Sequence, residues 1–94
     1  MSKTIYKVVL HQTVVSEIKK LPKKIKKHVT NIIGKLASEP IPIAAQRLKG
    51  RVNSYRIRVS DYRIIYELHA TEIVVYVIGV AHRKEVYRRL VRRK

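Results

Sequence analysis

The sequence predicts an α+β domain in which an antiparallel sheet carries a helical hairpin on one face. Three observations lead to this prediction. The chain has 94 residues, which is enough for one modest hydrophobic core. Apolar residues in the first half recur at helical spacing, whereas the second half consists of β-rich runs joined by short turns. The predicted order is β-α-α-β-β-β with a basic segment at the end, and residues 1–94 are taken as a single domain.

The first half is typical of one strand followed by two helices. Residues 4–10 alternate as a strand does. From Gln12 the period becomes helical, with apolar residues at Val14, Ile18 and Leu21. Pro22 interrupts this helix and suits the first turn of the next one. The short link predicts an antiparallel helical hairpin. The second helix carries its apolar face on Ile25, Val29, Ile32, Ile33 and Leu36.

The second half predicts three strands in a meander. The strands are expected at residues 54–59, 62–68 and 73–80. Their short connections favour antiparallel pairing of neighbours. The closing segment, residues 82–94, is basic and has Val86 and Leu90 at helical spacing, which predicts a final helix.

The composition is strongly basic, with 22 Lys and Arg against 6 Asp and Glu and a net charge of +16. Such a charge favours nucleic acid, an acidic protein or an anionic membrane surface as partner. Neither helix shows the bulky apolar face that membrane-surface binding requires, so no membrane contact is expected. No apolar run approaches the roughly 18 residues that span a bilayer, and a cytoplasmic location is expected.

Thiol and metal chemistry are disfavoured by the residue types present. The chain has no cysteine, which excludes disulfides, thiol nucleophiles and Cys-ligated metals. His11, His28 and His69 have no companion ligands at metal-binding spacing, and the chain has only six carboxylates. We therefore expect no metal and no other cofactor.

The kind of positive charge changes along the chain. Residues 1–46 contain nine lysines and no arginine, whereas residues 47–94 contain all ten arginines and three lysines. Lysine is a hydrated point charge, and arginine is a planar fork that binds phosphate through two hydrogen bonds. Two interpretations remain open: a bias of composition, or a division in which the first half steers partners and the second half holds phosphate.

The predicted hairpin at residues 55–66 brings arginines together. A turn at Ser60-Asp61 places every apolar residue of one strand opposite an apolar residue of the next. Arg56, Arg58 and Arg63 then share the sheet face away from the helices. Arg58 and Arg63 lie directly opposite each other, and this like-charge pair destabilises the hairpin. A costly arrangement of this kind suggests an anion site, although a solvated face would explain any single arginine.

The segment after the last predicted strand adds further polar groups. Arg83 and Tyr87 would share one face of a helix that starts there. His82 stands in a basic context at the strand end, where a single histidine is more often structural than catalytic.

Four short segments, together with the element order, resemble a known family. They are Leu48-Lys49-Gly50, Tyr55-Arg56-Ile57-Arg58-Val59, Asp61-Tyr62-Arg63-Ile64-Ile65-Tyr66 and Val80-Ala81-His82-Arg83-Lys84-Glu85-Val86-Tyr87. In this order they resemble the RelE/ParE superfamily of small toxins from toxin–antitoxin pairs. Within that superfamily the pattern is most similar to RelE, an mRNA interferase that cuts mRNA on the ribosome.

The resemblance implies a site residue by residue. The two basic residues of one strand fall on Arg56 and Arg58, and that of the next strand falls on Arg63. The arginine after the last strand falls on Arg83, and the C-terminal tyrosine falls on Tyr87.

His82 enters through the same resemblance, and two further basic residues complete the expected site. The link before Arg83 is shorter here than in RelE, so His82 could share or take the role of Arg83. Lys49 and Arg51 are expected to join Arg56 in binding the substrate. Arg56 and Arg58 replace lysines of RelE, and arginine stays protonated near neutral pH. The general base is therefore expected to be Tyr87 or His82.

The implied activity is metal-independent cleavage of mRNA on the ribosome, which inhibits translation. The ribose 2′-hydroxyl attacks the adjacent phosphate, held by Arg58 and Arg63, while Arg83 or His82 lies near the leaving oxygen. The implied partners are mRNA on the ribosome and an acidic, RelB-like antitoxin.

Two other classes of function compete with this one. A ParE-like toxin would inhibit DNA gyrase on the same fold without cutting RNA. A plain nucleic-acid-binding module would show steep salt dependence and no cleavage products.

Overall fold

The structure, a computed structural model, describes residues 4–85. Within these residues two full helices and five strands form an α+β fold, which confirms the predicted fold class. In chain order the elements are β1 (Lys7–Leu10), α1 (Gln12–Lys19), α2 (Lys23–Lys35), β2 (Ala45–Arg47), β3 (Ser54–Val59), β4 (Tyr62–His69) and β5 (Val74–His82). The strands form one sheet in the order β1-β5-β4-β3-β2.

The prediction of a wholly antiparallel sheet is wrong at the strand β1. The strands β2 to β5 pair antiparallel, but β1 runs parallel to β5, with Lys7 opposite Val74. Side chains alternate in the same way in parallel and antiparallel strands, so the pattern of residues 4–10 carries no information about strand direction. The short strand β2 was also not predicted, because three residues are too few to show an alternation.

Both predicted helices are present, and they are joined by a tight link. The helix α1 begins after His11, whose Nδ1 accepts the backbone N–H of Thr13 at 3.2 Å. Pro22 occupies the N-cap of α2, where its missing N–H costs nothing. No helix in residues 4–85 combines the length and apolarity needed to cross a membrane.

The main core lies between the two helices and one face of the sheet. Val14 and Val29 of the helices are fully buried, as are Ile64 and Tyr66 of β4. Burying an aliphatic side chain of this size contributes about 1.5–3 kcal/mol. The Tyr66 hydroxyl donates to the Pro40 carbonyl at 2.8 Å and so ties the segment after α2 to the sheet.

The hairpin between β3 and β4 has the predicted register. Val59 pairs with Tyr62, and Arg58 pairs with Arg63. Ser60, the first of the two central residues of the turn, has a φ of 56°. The common two-residue hairpin turns require a positive φ at this position. The turn therefore forms without the glycine that usually supplies this angle.

A β-bulge interrupts the pairing of β4 with β5. Ile65 is opposite Gly79 and Tyr66 is opposite Val77, so β5 holds one residue more than β4 at this point. Because of this extra residue, both Val77 and Val80 point into the main core although they are three positions apart. Residues 83–85 are helical, as predicted, whereas Val86 and Leu90 of the predicted final helix lie outside the described residues.

Candidate functional site

Three arginines converge on the sheet face that points away from the helices. Arg56, Arg58 and Arg63 line a groove of about 300 Å³ together with Ala44 and Gln46. We call this site the arginine groove. The structure thus brings together the three arginines that the hairpin register predicted, and no acidic side chain of residues 4–85 lines the groove.

Arg56 is held in place from the neighbouring strand. The Gln46 side-chain oxygen accepts from Arg56 Nε at 3.3 Å and from Nη2 at 3.0 Å. Gln46 and Arg56 are register partners in β2 and β3, so both side chains lie on the same face. Sequence reasoning missed Gln46 because it missed the strand β2 that places it.

Arg58 and Arg63 lie opposite each other and share an acceptor. Arg58 Nε and Arg63 Nη1 each lie 3.4 Å from the Ser60 carbonyl oxygen, and Arg63 Nη1 also donates to the Tyr62 carbonyl at 3.1 Å. The turn thereby directs two guanidinium groups to one end of the groove. Such a pair repels itself and is stabilised by an anion that both groups can bind, such as a phosphate.

The floor beside the arginines is apolar. Ile65 is the register partner of Arg56, and Ala81 is that of Arg63, so these residues share the face of the groove. Together with Leu48 and Ile78 they form a second buried cluster, separate from the main core. An apolar wall next to fixed cations lowers the local dielectric and strengthens their attraction for an anion.

The backbone of Arg83 is bonded to the turn that lies next to Arg58 and Arg63. Its N–H donates to the Asp61 carbonyl at 2.9 Å, which ties the chain leaving β5 to the same turn that Arg58 and Arg63 contact. The Arg83 side chain is exposed. Four of the predicted cationic residues therefore gather around one turn and the two strands that it joins.

His82 lies on the other face of the sheet. It pairs with Tyr62, and the two rings are 5.7 Å apart and nearly perpendicular, at 78°. Tyr62 packs against the main core. The Nδ1 atom of His82 lies 3.4 Å from the Lys84 backbone nitrogen, where it caps the helical turn of residues 83–85. The structure does not bring His82 into the arginine groove; its contacts position the turn that carries Arg83.

Lys49 and Arg51 lie at the opposite end of β3 from the Ser60 turn. They belong to the loop between β2 and β3, where Gly50 takes a φ of 78° and the Arg51 N–H donates to the Leu48 carbonyl at 3.2 Å. A six-residue strand spans roughly 20 Å. These two cations can therefore contact only a ligand that extends along the sheet. Tyr87 lies outside the described residues.

The acidic and histidine residues do not form a metal site in the described part of the chain. Within residues 4–85 no group of three such side chains is placed to hold an ion. His69 lies between Glu67, at 3.0 Å, and Glu72, at 3.7 Å, close to the turn between β4 and β5. This cluster is separate from the arginine groove.

Comparison with known proteins decides the family. Residues 8–87 match the family described as "ParE toxin of type II toxin-antitoxin system, parDE". The chain belongs to this toxin family. Toxin RelE3 of Methanocaldococcus jannaschii is 33% identical over 85 residues, which cover 86% of this chain and 94% of that protein. Putative toxin RelE1 of the same organism is 27% identical, covering 88% of this chain and 96% of that protein.

Solved structures of RelE toxins share the fold. A variant of E. coli toxin RelE in the free state has a TM-score of 0.77 and 25% identity, covering 95% of this chain and 97% of its own. The archaeal RelE–RelB complex from Pyrococcus horikoshii OT3 has a TM-score of 0.72 and 27% identity, covering 84% and 96%. This chain is therefore a type II toxin of the RelE/ParE superfamily with the RelE fold, as the resemblance predicted.

Proposed function

We propose that this toxin is a metal-independent endoribonuclease that cleaves mRNA on the ribosome and so inhibits translation. The observation that carries the proposal is the arginine groove, in which three guanidinium groups converge beside an apolar floor. The RelE names of its relatives support the same activity. We treat residues 1–94 as one toxin domain.

Arg58 and Arg63 are proposed to bind the scissile phosphate. Both groups reach the Ser60 carbonyl, so they point to one place from two strands. Two forked donors can contact both non-bridging oxygens and stabilise the charge that grows on them during attack. Arg56, held by Gln46, is proposed to orient the flanking nucleotide, and Lys49 and Arg51 to bind a more distant part of the strand.

Tyr87 is proposed as the general base. The arginines remain protonated near neutral pH and cannot accept a proton. His82 faces away from the groove and uses Nδ1 in a cap, so we assign it a positioning role instead. Positive surroundings favour the phenolate form of a tyrosine, which suits a base near an arginine cluster.

The proposed reaction is a transesterification within the RNA. Tyr87 takes the proton of the 2′-hydroxyl, the 2′-oxygen attacks phosphorus in line, and the bond from phosphorus to the 5′-oxygen breaks. Arg83 stabilises the negative charge on the leaving 5′-oxygen, which then takes a proton from water. The products are a 2′,3′-cyclic phosphate and a 5′-hydroxyl end.

The ends of the RNA products test this proposal. Translating ribosomes are incubated with the full chain, and the cut sites and end groups are mapped, with Arg63→Ala as the inactive variant. We expect cyclic phosphate and 5′-hydroxyl ends that depend on Arg63. Uncut mRNA, or fragments with 5′-phosphate ends, would contradict the proposal.

Inhibition of DNA gyrase is the second candidate function, because the matching family is described by its ParE toxin. A supercoiling assay with purified gyrase separates the two. Loss of supercoiling with intact mRNA would favour gyrase inhibition over cleavage.

We further propose an acidic antitoxin as the cognate partner. RelE toxins have been solved as complexes with RelB, including those from Pyrococcus horikoshii and Methanococcus jannaschii. A net charge of +16 would draw an acidic, partly disordered chain onto this toxin.

A further inference from the structure

A second basic surface covers the helices, on the other side of the sheet from the arginine groove. It spans the end of α1, the link and the start of α2. Five of its six lysines are exposed and one is partly buried. We call this surface the lysine face; it comprises Lys19, Lys20, Lys23, Lys24, Lys26 and Lys27.

No acidic side chain neutralises the lysine face. The ion pairs observed between side chains of residues 4–85 are those of His69 with two glutamates, and neither involves a lysine. Neither α1 nor α2 has an acidic residue in its first turn. Glu17, the acidic residue of α1, turns inward, and its Oε1 accepts the Val80 N–H at 2.9 Å.

This arrangement opposes the stability of the fold. Lys23 and Lys27 are one turn apart in α2, and like charges at this spacing repel. Lysines in the first turn also oppose the positive end of the helix dipole. An anion bound across the lysine face would relieve both effects, so its charge is better explained by a ligand than by folding.

The character of the lysine face indicates which anion it fits. Protein–protein interfaces have an apolar or aromatic core and few lysines. Within residues 19–27 the one exposed apolar side chain is the small ring of Pro22, since Leu21 is buried and Ile25 is partly buried. Interfaces with nucleic acid, in contrast, are polar and strongly positive. Lysine is a mobile point charge, which suits a phosphate backbone contacted without regard to sequence.

We propose that the lysine face binds the sugar–phosphate backbone of a folded RNA helix, at a site separate from the arginine groove. This inference rests on the proposed function in one respect only, namely that the RNA helix belongs to the ribosome. The toxin would then contact RNA on two sides: a single strand lies in the groove, and a double-helical backbone lies against α1 and α2.

Binding to a simple RNA hairpin tests this proposal without any cleavage. The probe is a labelled hairpin of two helical turns with no single-stranded extension, titrated with the full chain at several salt concentrations. The test variant is Lys24→Gln/Lys27→Gln, which changes two exposed residues of the lysine face. The control is Lys7→Gln/Lys35→Gln, which removes the same charge from two exposed positions outside it.

We expect the test variant to bind the hairpin about tenfold more weakly near 0.1 M salt, and the salt slope to fall by about two. The control variant should change affinity less than about threefold. Equal losses in both variants would show a general effect of net charge and would overturn the proposal. An unchanged test variant would also overturn it.

Two further measurements separate this proposal from the proposed function. The Arg58→Ala/Arg63→Ala variant should bind the RNA hairpin as tightly as the Lys7→Gln/Lys35→Gln control does, since the arginine groove is a different site. If the unaltered chain cuts no mRNA, the endoribonuclease proposal fails while the hairpin result still stands. If the lysine variant binds the hairpin normally but loses an acidic antitoxin, the partner of this face is a protein and our inference is wrong.

Discussion

The two basic surfaces of this toxin differ in how their charges are held. In the arginine groove, Arg56 donates to Gln46, and Arg58 and Arg63 both reach the Ser60 carbonyl. In the lysine face, no side chain of the six lysines donates a hydrogen bond within the described residues. The groove is preorganised on paired strands, whereas the lysine face consists of flexible side chains on helices, five of them exposed. Fixed donors suit a reaction and mobile donors suit attachment, which is the division of purpose that we propose for the two surfaces.

Removing one fixed arginine should have the largest effect. We expect Arg63→Ala to slow mRNA cleavage by about 100- to 1,000-fold, as loss of one preorganised donor to a developing charge does elsewhere. Single-turnover cleavage on ribosomes measures this effect. The control is Lys7→Ala, which removes a charge outside both surfaces. A loss smaller than about threefold would show that Arg63 does not touch the reacting phosphate, and the contrast between the surfaces would break.

Glu17 connects the helical layer to the sheet. Glu17→Ala leaves the Val80 N–H without its acceptor, which should lower the free energy of unfolding by about 1–3 kcal/mol. Glu17→Gln keeps an acceptor oxygen and serves as the matched control. Urea denaturation compares the three proteins. Equal stability of the alanine variant and the unaltered chain would contradict the role of this bond.

Tyr66 tests the core that separates the two surfaces. Burial, together with the nearby Tyr55, raises the pKa of Tyr66 above its ordinary value. Above about pH 10 the Tyr66 hydroxyl therefore stays protonated in the folded state but loses its proton in the unfolded state. The contribution of Tyr66 to stability is present below about pH 10 and is lost as the pH rises further. Tyr66→Phe removes the bond to Pro40 and should cost about 0.5–1.5 kcal/mol at neutral pH.

The stability difference between Tyr66→Phe and the unaltered chain should shrink above pH 10. Chemical denaturation across the pH range measures it, and cleavage at neutral pH should stay the same in both proteins. A constant difference up to high pH would contradict the assignment of the proton to Tyr66.

Gln46 should give the smallest effect. Gln46→Ala frees Arg56 from its fixed position, and we expect cleavage to fall by about threefold, because the two exposed hydrogen bonds that are lost position Arg56 without contacting the reacting phosphate. Arg56→Ala is the companion variant. If Gln46→Ala slows cleavage further when Arg56 is already absent, Gln46 acts on the substrate directly rather than through Arg56.

The sequence predicts the arginine groove better than it predicts the sheet. The alternation of residues 55–66 disfavours a slip of one residue, which would mix apolar and polar positions, and the observed register brings Arg56, Arg58 and Arg63 together as predicted. The partner of β1 could not be predicted, since it lies more than 60 residues away in the chain and alternation does not encode direction. Gln46 was missed with β2, because three residues show no period.

The sheet face that carries the His82 side chain could not be predicted, for a different physical reason. Regular alternation from Tyr76 onward would put His82 on the groove face, beside the arginines. The extra residue near Ile78 reverses the alternation. Gly79 lies beside it, but a glycine inside a strand is typical of a close backbone approach as well as of a bulge, so it does not by itself show that a residue is inserted. A β-bulge is a property of the pairing of two strands, so one strand alone does not reveal it.

The bulge lets β5 carry one residue more than β4 without turning its later residues to the other face. Val77 and Gly79, on either side of Ile78, are opposite Tyr66 and Ile65, which are neighbours in β4. Deletion of Ile78 would therefore leave Ala81 opposite Arg63 and His82 opposite Tyr62, each on its present face. The loss of this one codon would remove an apolar side chain from the cluster beside the arginines, but it would keep the pairing of Arg63 and the position of the cap before Arg83, so the sheet absorbs a change in chain length at this point.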